Sequence, residues 1–290
     1  MPERLSGVER RIESIHELSS VVTAIRGIAA ARLREADAQL AGIRSYAETV
    51  GEAIGQVLAL LNSDDHPRTP GEATGPGLVI ALCSEQGFVG GFNSRVLDHV
   101  AALMTAQGHG ASRLFVVGDR GVMIAGERDI AVEWSMPMAT SVDDVTCLAN
   151  RLAEALYEQL AEGILANVTI VHAIPDQGSP RIVSQALIPF DFERFPHRKG
   201  VSDPILNLGP ERLVARLAEE YVFAELCEAT MLSFAAENEA RMWAMLSAHE
   251  NVERRLGELS AAARQIRQEE ITSEVVELAA GVDAGAVRVR

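Results

Sequence analysis

Read in alternating steps of three and four residues, the first sixty positions carry one apolar seam: Leu5, Val8, Ile12, Ile15, Ser19, Val22, Arg26, Ala29, Leu33, Ala36, Leu40, Ile43, Ala47, Val50, Ile54, Val57 and Leu61. Fifteen of these seventeen are apolar when alanine is counted, and only Ser19 and Arg26 interrupt. A heptad seam kept up for about eight heptads predicts one long helix that has a helical partner. The rhythm returns near the other end in Met242, Met245, His249, Val252, Leu256, Leu259, Ala263 and Ile266, with His249 the polar exception. From Glu211 to Ala280 there is no proline and a single glycine, Gly257, so nothing forces a stop. About seventy such residues would extend on the order of 100 Å, where ordinary helices run about three turns. The core of a chain this size cannot cover such a helix. The simplest solution packs the two terminal helices as an antiparallel coiled coil.

Between them the period changes. Leu78–Cys83 is continuously apolar, as a buried parallel strand is. Leu114–Val117, a strand near Ile130–Trp134, Val168–Ala173 and Arg181–Leu187 follow as further strands. Helices are expected over Ser94–Gln107, with Asn93 or Ser94 as N-cap, in a short stretch after Asp119, and over about Val142–Glu162. Alternation of this kind predicts a Rossmann-like α/β domain with a largely parallel sheet. The expected organisation is residues 1–62 as N-terminal coiled-coil helix, 77–190 as central α/β domain and 210–282 as C-terminal coiled-coil helix. Loops rich in proline, glycine and charge connect them at Asn62–Pro76 and Phe190–Gly209.

Composition narrows the function. Apolar residues make up 48% and aromatics only 4%, which suits a leucine- and alanine-rich helical protein. No apolar run reaches membrane-spanning length, and Met1–Arg10 is too charged for a secretory signal, so membrane association is expected only through partners. Three cysteines without a CxxC point to a reducing compartment and away from structural zinc. A net charge of −15 argues against nucleic acid as a partner, because phosphate neutralisation needs a basic face.

Candidate chemistry is thin. The loop Gly87-Phe88-Val89-Gly90-Gly91 follows a strand, yet it has neither GxGxxG spacing nor the lysine and Ser/Thr of a phosphate loop, so it is read as a tight strand-to-helix turn. The seven histidines are scattered and fit surface or seam positions better than metal ligation. Asp143-Asp144 precedes a helix and fits capping and dipole compensation. No catalytic triad or dyad spacing stands out. No catalytic residue, cofactor or metal is expected, and the chain reads as a non-enzyme.

Several stretches resemble one known family, the gamma subunit of rotary F-type ATP synthases, colinearly over the whole chain. They are Ala24–Arg34, Ser45–Thr49, the turn Gly87–Asn93, Glu237–Met245 and Arg267–Glu274. The resemblance implies a central-stalk rotor. The coiled coil would run through a catalytic head of alpha and beta subunits, and the α/β domain would sit with an epsilon subunit on the membrane c-ring. It implies a non-catalytic subunit, peripheral on the cytoplasmic face of the cell membrane, that couples ion flow to ATP synthesis or hydrolysis in the head. It also implies that Arg241, Arg267, Gln268, Thr272 and Glu274 contact the head. The departures are Glu85-Gln86 before the turn, Val89 for the turn's cysteine, and Glu269-Glu270 for two small residues. These resemble the divergent alternative, sodium-type bacterial branch. The competing readings are a coiled-coil scaffold carrying an α/β nucleotide-binding domain, and a nucleotide enzyme with a coiled-coil arm.

Overall fold

A computed structural model describes residues 2–61, 76–106, 112–161, 165, 167–195 and 206–287, with backbone only at 2–3 and 277–287. The expected loops Asn62–Pro76 and Phe190–Gly209 lie outside the described residues over 62–75 and 196–205, as do the side chains from 277 onward.

Two helices dominate, α1 (Pro2–Leu58) and α5 (Pro210–Val287). Both run uninterrupted through their glycines. By contacts the chain divides into two units, Met1–Ile28 with Trp243–Arg290, and Ala29–Met242, so each helix contributes to both.

In the unit of residues 29–242 a five-stranded sheet is built from β1 (Gly77–Leu82), β2 (Arg113–Val117), β3 (Trp134–Met136), β4 (Asn167–Ile174) and β5 (Arg181–Ile188). The strand order is β3-β2-β1-β4-β5, with every pair parallel except β4 with β5. The strand expected near Ile130–Trp134 forms later, where the Trp134 ring packs tilted against Phe115 with centroids 5.0 Å apart. Helices α2 (Phe92–Ala106), α3 (Asp119–Glu127) and α4 (Asp144–Ala161) cover the sheet. One face packs Leu78, Ile80 and Leu82 against α4 and against Val222, Leu226 and Phe234 of α5. The other packs Val79, Ala81 and Cys83 against α2, α3 and then Ala236 and Ala240 of α5. α5 therefore changes sheet faces as it passes the end of β1, where Ser233 Oγ donates to Leu82 O at 3.4 Å. That crossing buries every residue from Ala229 to Arg241. In the same unit α1 runs antiparallel to α5, with Arg44 bonded to Glu228 at 2.8 Å and Tyr46 to Glu220 at 2.7 Å.

The N-terminal seam is borne out. All seventeen positions are buried or half-buried, while most positions between them are exposed. Period 3.5 keeps one stripe facing a partner helix, which is why the stripe stays covered along the whole of α1. In the unit of residues 1–28 and 243–290 the C-terminal seam from Met245 to Ile266 is covered likewise, and Arg267 Nη2 donates to Glu9 Oε1 at 2.9 Å.

Candidate functional site

Two groups of residues stand out, one in each unit. The first lies where β1 ends. Ser84 N donates to Asn93 Oδ1 and Asn93 Nδ2 donates to Ser84 Oγ, both at 2.8 Å. Asn93 was expected as a helix cap. It instead lies inside the first turn of α2, buried, because its amide is used to close the turn back onto Ser84. Glu85 Oε2 accepts from Met138 N at 2.8 Å and from Asp119 N at 3.2 Å, so it satisfies an orphan donor at the start of α3. Only glycine fits at two positions here. Gly118 has φ 104°, and a Cβ on it would meet Cys83 O at 2.6 Å. A Cβ on Gly121 would meet the Cys83 side chain at 2.2 Å.

Arg241 locks this loop. It is 5% exposed and pairs with Glu237 at 2.6 Å one helical turn away. Its remaining donors reach Asn238 Oδ1, Gly87 O and Gln86 O, each at 3.2 Å. A buried guanidinium is tolerable only when paired and hydrogen-bonded, and here both conditions are met. Burial raises the Glu237 carboxyl above the ordinary range, against the lowering influence of Arg241. A phosphate cradle presents backbone N–H groups to its ligand. This loop turns two carbonyls onto an arginine and fills a helix start with its own carboxylate. It matches the expected tight turn. At its tip Phe88 holds φ 62° and is 68% exposed.

Arg241, expected to contact the head, is therefore buried. The structure places it in the Ala29–Met242 unit with its donors satisfied inside this chain. The spacing of Glu237 and Arg241 could have signalled the pair in the sequence. No sequence signal marks the carbonyls of Gln86 and Gly87 as its other partners.

The second group is the end of α5. Arg267, Gln268, Thr272 and Glu274 are all exposed there. Thr272 Oγ1 donates to Gln268 O at 2.7 Å, and Gln265 Nε2 to Glu269 Oε1 at 3.1 Å. A shallow groove is lined by Gln265, Gln268, Glu269, Thr272, Ser273 and Val276. Between these polar groups Ile271, Val275 and Val276 are more than half exposed. Exposed apolar side chains interleaved with hydrogen-bonding groups make a surface fit for a protein partner.

The remaining candidates resolve simply. Asp144 caps its helix from the first position, accepting from Ser141 and Thr140, and the Ser141 hydroxyl bond foremost holds its carboxyl below the usual range. His172 was expected at a surface or in a seam. It lies instead in β4, 3% exposed, because strand alternation turns it to the sheet face that carries Ile170 and Leu82. Burial pushes it down to about 4. Cys83 and Cys227 are buried and Cys147 is exposed. Among the described residues no helix is long and apolar enough to cross a membrane.

A sequence model described as ATP synthase matches residues 4–284. The ATP synthase gamma chain of Moorella thermoacetica is 26% identical over 280 residues, covering 96% of this chain and 97% of its own. The gamma chain of Salinibacter ruber is 28% identical over 304 residues, covering 97% of each. Among solved structures, a chain of the Euglena gracilis mitochondrial ATP synthase shares the fold with a TM-score of 0.68 at 14% identity, over 98% of this chain and 95% of that one. A chain of the Tetrahymena thermophila central stalk and c-ring aligns at 0.56 and 19% identity, over 79% and 99%. With a match along nearly its whole length, the chain belongs to the ATP synthase family, among its gamma chains.

Proposed function

We propose that this chain is the central-stalk rotor of a rotary ATP synthase, peripheral on the cytoplasmic face of the cell membrane, coupling ion flow through a c-ring to catalysis in an alpha–beta head. The observation that carries the reading is the end of α5, a helix face left apolar and hydrogen-bonding at once, on a chain of this family. Ile271, Val275 and Val276 suit a hydrophobic sleeve. Arg267, Gln268, Thr272 and Glu274 supply directional bonds to it, while Arg241 acts inside the chain by fixing the glycine turn.

A shaft that meets several catalytic sites in succession needs contacts that are few and breakable. Hydrogen bonds net about 0.5–1.5 kcal/mol each, which suits a latch released at every step, whereas a large apolar patch would hold one orientation. Glu269 and Glu270 add negative charge beside this latch, so basic groups are expected on the sleeve opposite them. Rotor torque then passes through the two-helix seam, which resists twist better than a single helix.

Gln268→Leu combined with Thr272→Val tests the reading in an assembled complex. Both side chains are exposed, so assembly should be unchanged while ATP turnover coupled to ion flow falls several-fold. Full coupled turnover would remove these residues from the mechanism. The purified chain alone should hydrolyse no ATP, since its glycine turn presents carbonyls where a phosphate site needs donors.

A further inference from the structure

Arg267 has two carboxylates within its reach. Glu270 lies three residues on along the same helix, a spacing at which side chains meet. Glu9 lies across on α1. The guanidinium goes to Glu9, at 2.9 Å, and Glu270 Oε1 is left buried without a hydrogen-bond partner. The bond to Glu9 uses Nη2 alone, so the other N–H donors of the fork stay available. Both partners are at least half exposed, 60% for Arg267 and 50% for Glu9. Exposed ion pairs of this kind add little to stability, and the packing of this stretch comes from Val8, Ile12, Ala263 and Ile266 in the two seams. The pair therefore does something other than hold the helices together.

We infer that Glu9 is a positioning residue for Arg267. It draws the guanidinium across to α1 and away from Glu270, so that the free edge of the fork faces a carboxylate or carbonyl oxygen of a head subunit. Without Glu9 the side chain folds along α5 onto the waiting Glu270 oxygen, and the free edge of the fork turns away from the head. This rests on the rotor reading proposed above. A planar guanidinium fixed through one nitrogen presents its remaining donors in a set direction, which a flexible, unpaired arginine does not.

The test uses coupled turnover and assembly in the full complex. Glu9→Gln should assemble normally and lower coupled turnover several-fold, to the level of Arg267→Gln, and Glu9→Asp should retain more of it. Adding Glu270→Gln to Glu9→Gln should restore much of the loss, because the competing acceptor is weakened. The charge exchange Glu9→Arg with Arg267→Glu rebuilds an ion pair with the cation on the wrong helix, and it should stay as slow as Glu9→Gln. Unchanged turnover in Glu9→Gln overturns the inference. So does loss of assembly in that variant, or full turnover in the exchange, since either makes the pair a structural tie. The rotor reading fails separately, on full turnover in Gln268→Leu with Thr272→Val.

Discussion

Between Ala229 and Arg241, α5 is buried on every side; between Arg267 and Val276 every side chain except half-buried Glu270 is exposed. Both stretches carry glutamate, arginine and a Thr or Asn amid apolar residues, so composition hardly separates them. In the first, three polar groups are tied to partners distant in sequence, Arg241 to Gln86 O and Gly87 O, Glu239 to Asp176 N and Ser233 to Leu82 O, while Glu237 and Asn238 bond within a turn to Arg241 and Phe234 O. In the second, bonds are made within a turn of the helix or to Glu9. Burial decides which task a polar residue can take. A buried polar group unpaired costs several kcal/mol and so becomes architecture, while an exposed one costs little to free and so can serve a partner.

The sharpest break in this comparison is Arg241→Met. It leaves Glu237 buried without its counter-charge and should cost about 3–5 kcal/mol in urea unfolding. Replacing both, Arg241→Met with Glu237→Leu, should recover a large part. A single variant that unfolds like the parent would show that the pair is not architecture. The second effect concerns His172 and acid. Its folded pKa, about 4, lies below the ordinary 6.5. As pH falls below 6.5 the unfolded chain takes up a proton that the folded chain refuses, so this contribution is lost between pH 6.5 and 4. By linkage the loss approaches about 3 kcal/mol. Glu237 acts in the opposite sense, since its raised pKa lets the folded chain bind a proton first and adds stability on acidification. The slope difference between the parent and His172→Phe isolates the histidine; equal slopes would remove it. Smaller again is Ile12→Asp or Ile15→Asp. Both positions are half-buried in the seam, and a carboxylate there should cost about 1–3 kcal/mol and lower the melting temperature. An unchanged melting temperature would break the seam assignment.

Much of this was legible in the sequence. The seam from Leu5 to Leu61 predicted which face of α1 is covered, because period 3.5 is a geometric constraint that few other structures satisfy. The strand at Leu78–Cys83 was found because strands buried on both faces read as unbroken apolar runs. What could not be read was pairing at a distance. Asn93 looked like a cap because its place at a helix start is the usual one, and only the fold brings Ser84 back to it. Arg241 was named as a head contact by the resemblance alone, and only the passage of α5 around the end of β1 buries it. His172 was expected at a surface or in a seam because an isolated histidine is usually found there, and only the strand alternation of β4 buries it. Arg267, Gln268, Thr272 and Glu274, which the resemblance put forward as head contacts, all fall on exposed helix, but nothing in the sequence points from Arg267 to Glu9.

The smallest expected effect on the free chain is at the exposed stretch itself. Val275→Ser with Val276→Ser removes two apolar side chains that are 59% and 61% exposed. Since they bury little in the chain alone, unfolding of the free protein should shift by no more than about 0.5 kcal/mol. Helix propensity does not alter that, because serine and valine differ little in a helix interior. Against a sleeve the same two side chains would be covered, and full burial of a valine stabilises by about 1.5–3 kcal/mol. Association with head subunits should therefore weaken by about tenfold or more while the free chain melts as before. The weakened association separates a partner surface from a frayed end, which would leave association unchanged as well. If the free chain were destabilised instead, the valines would be packing within this chain, and the contrast between the two stretches of α5 would fail at its exposed end.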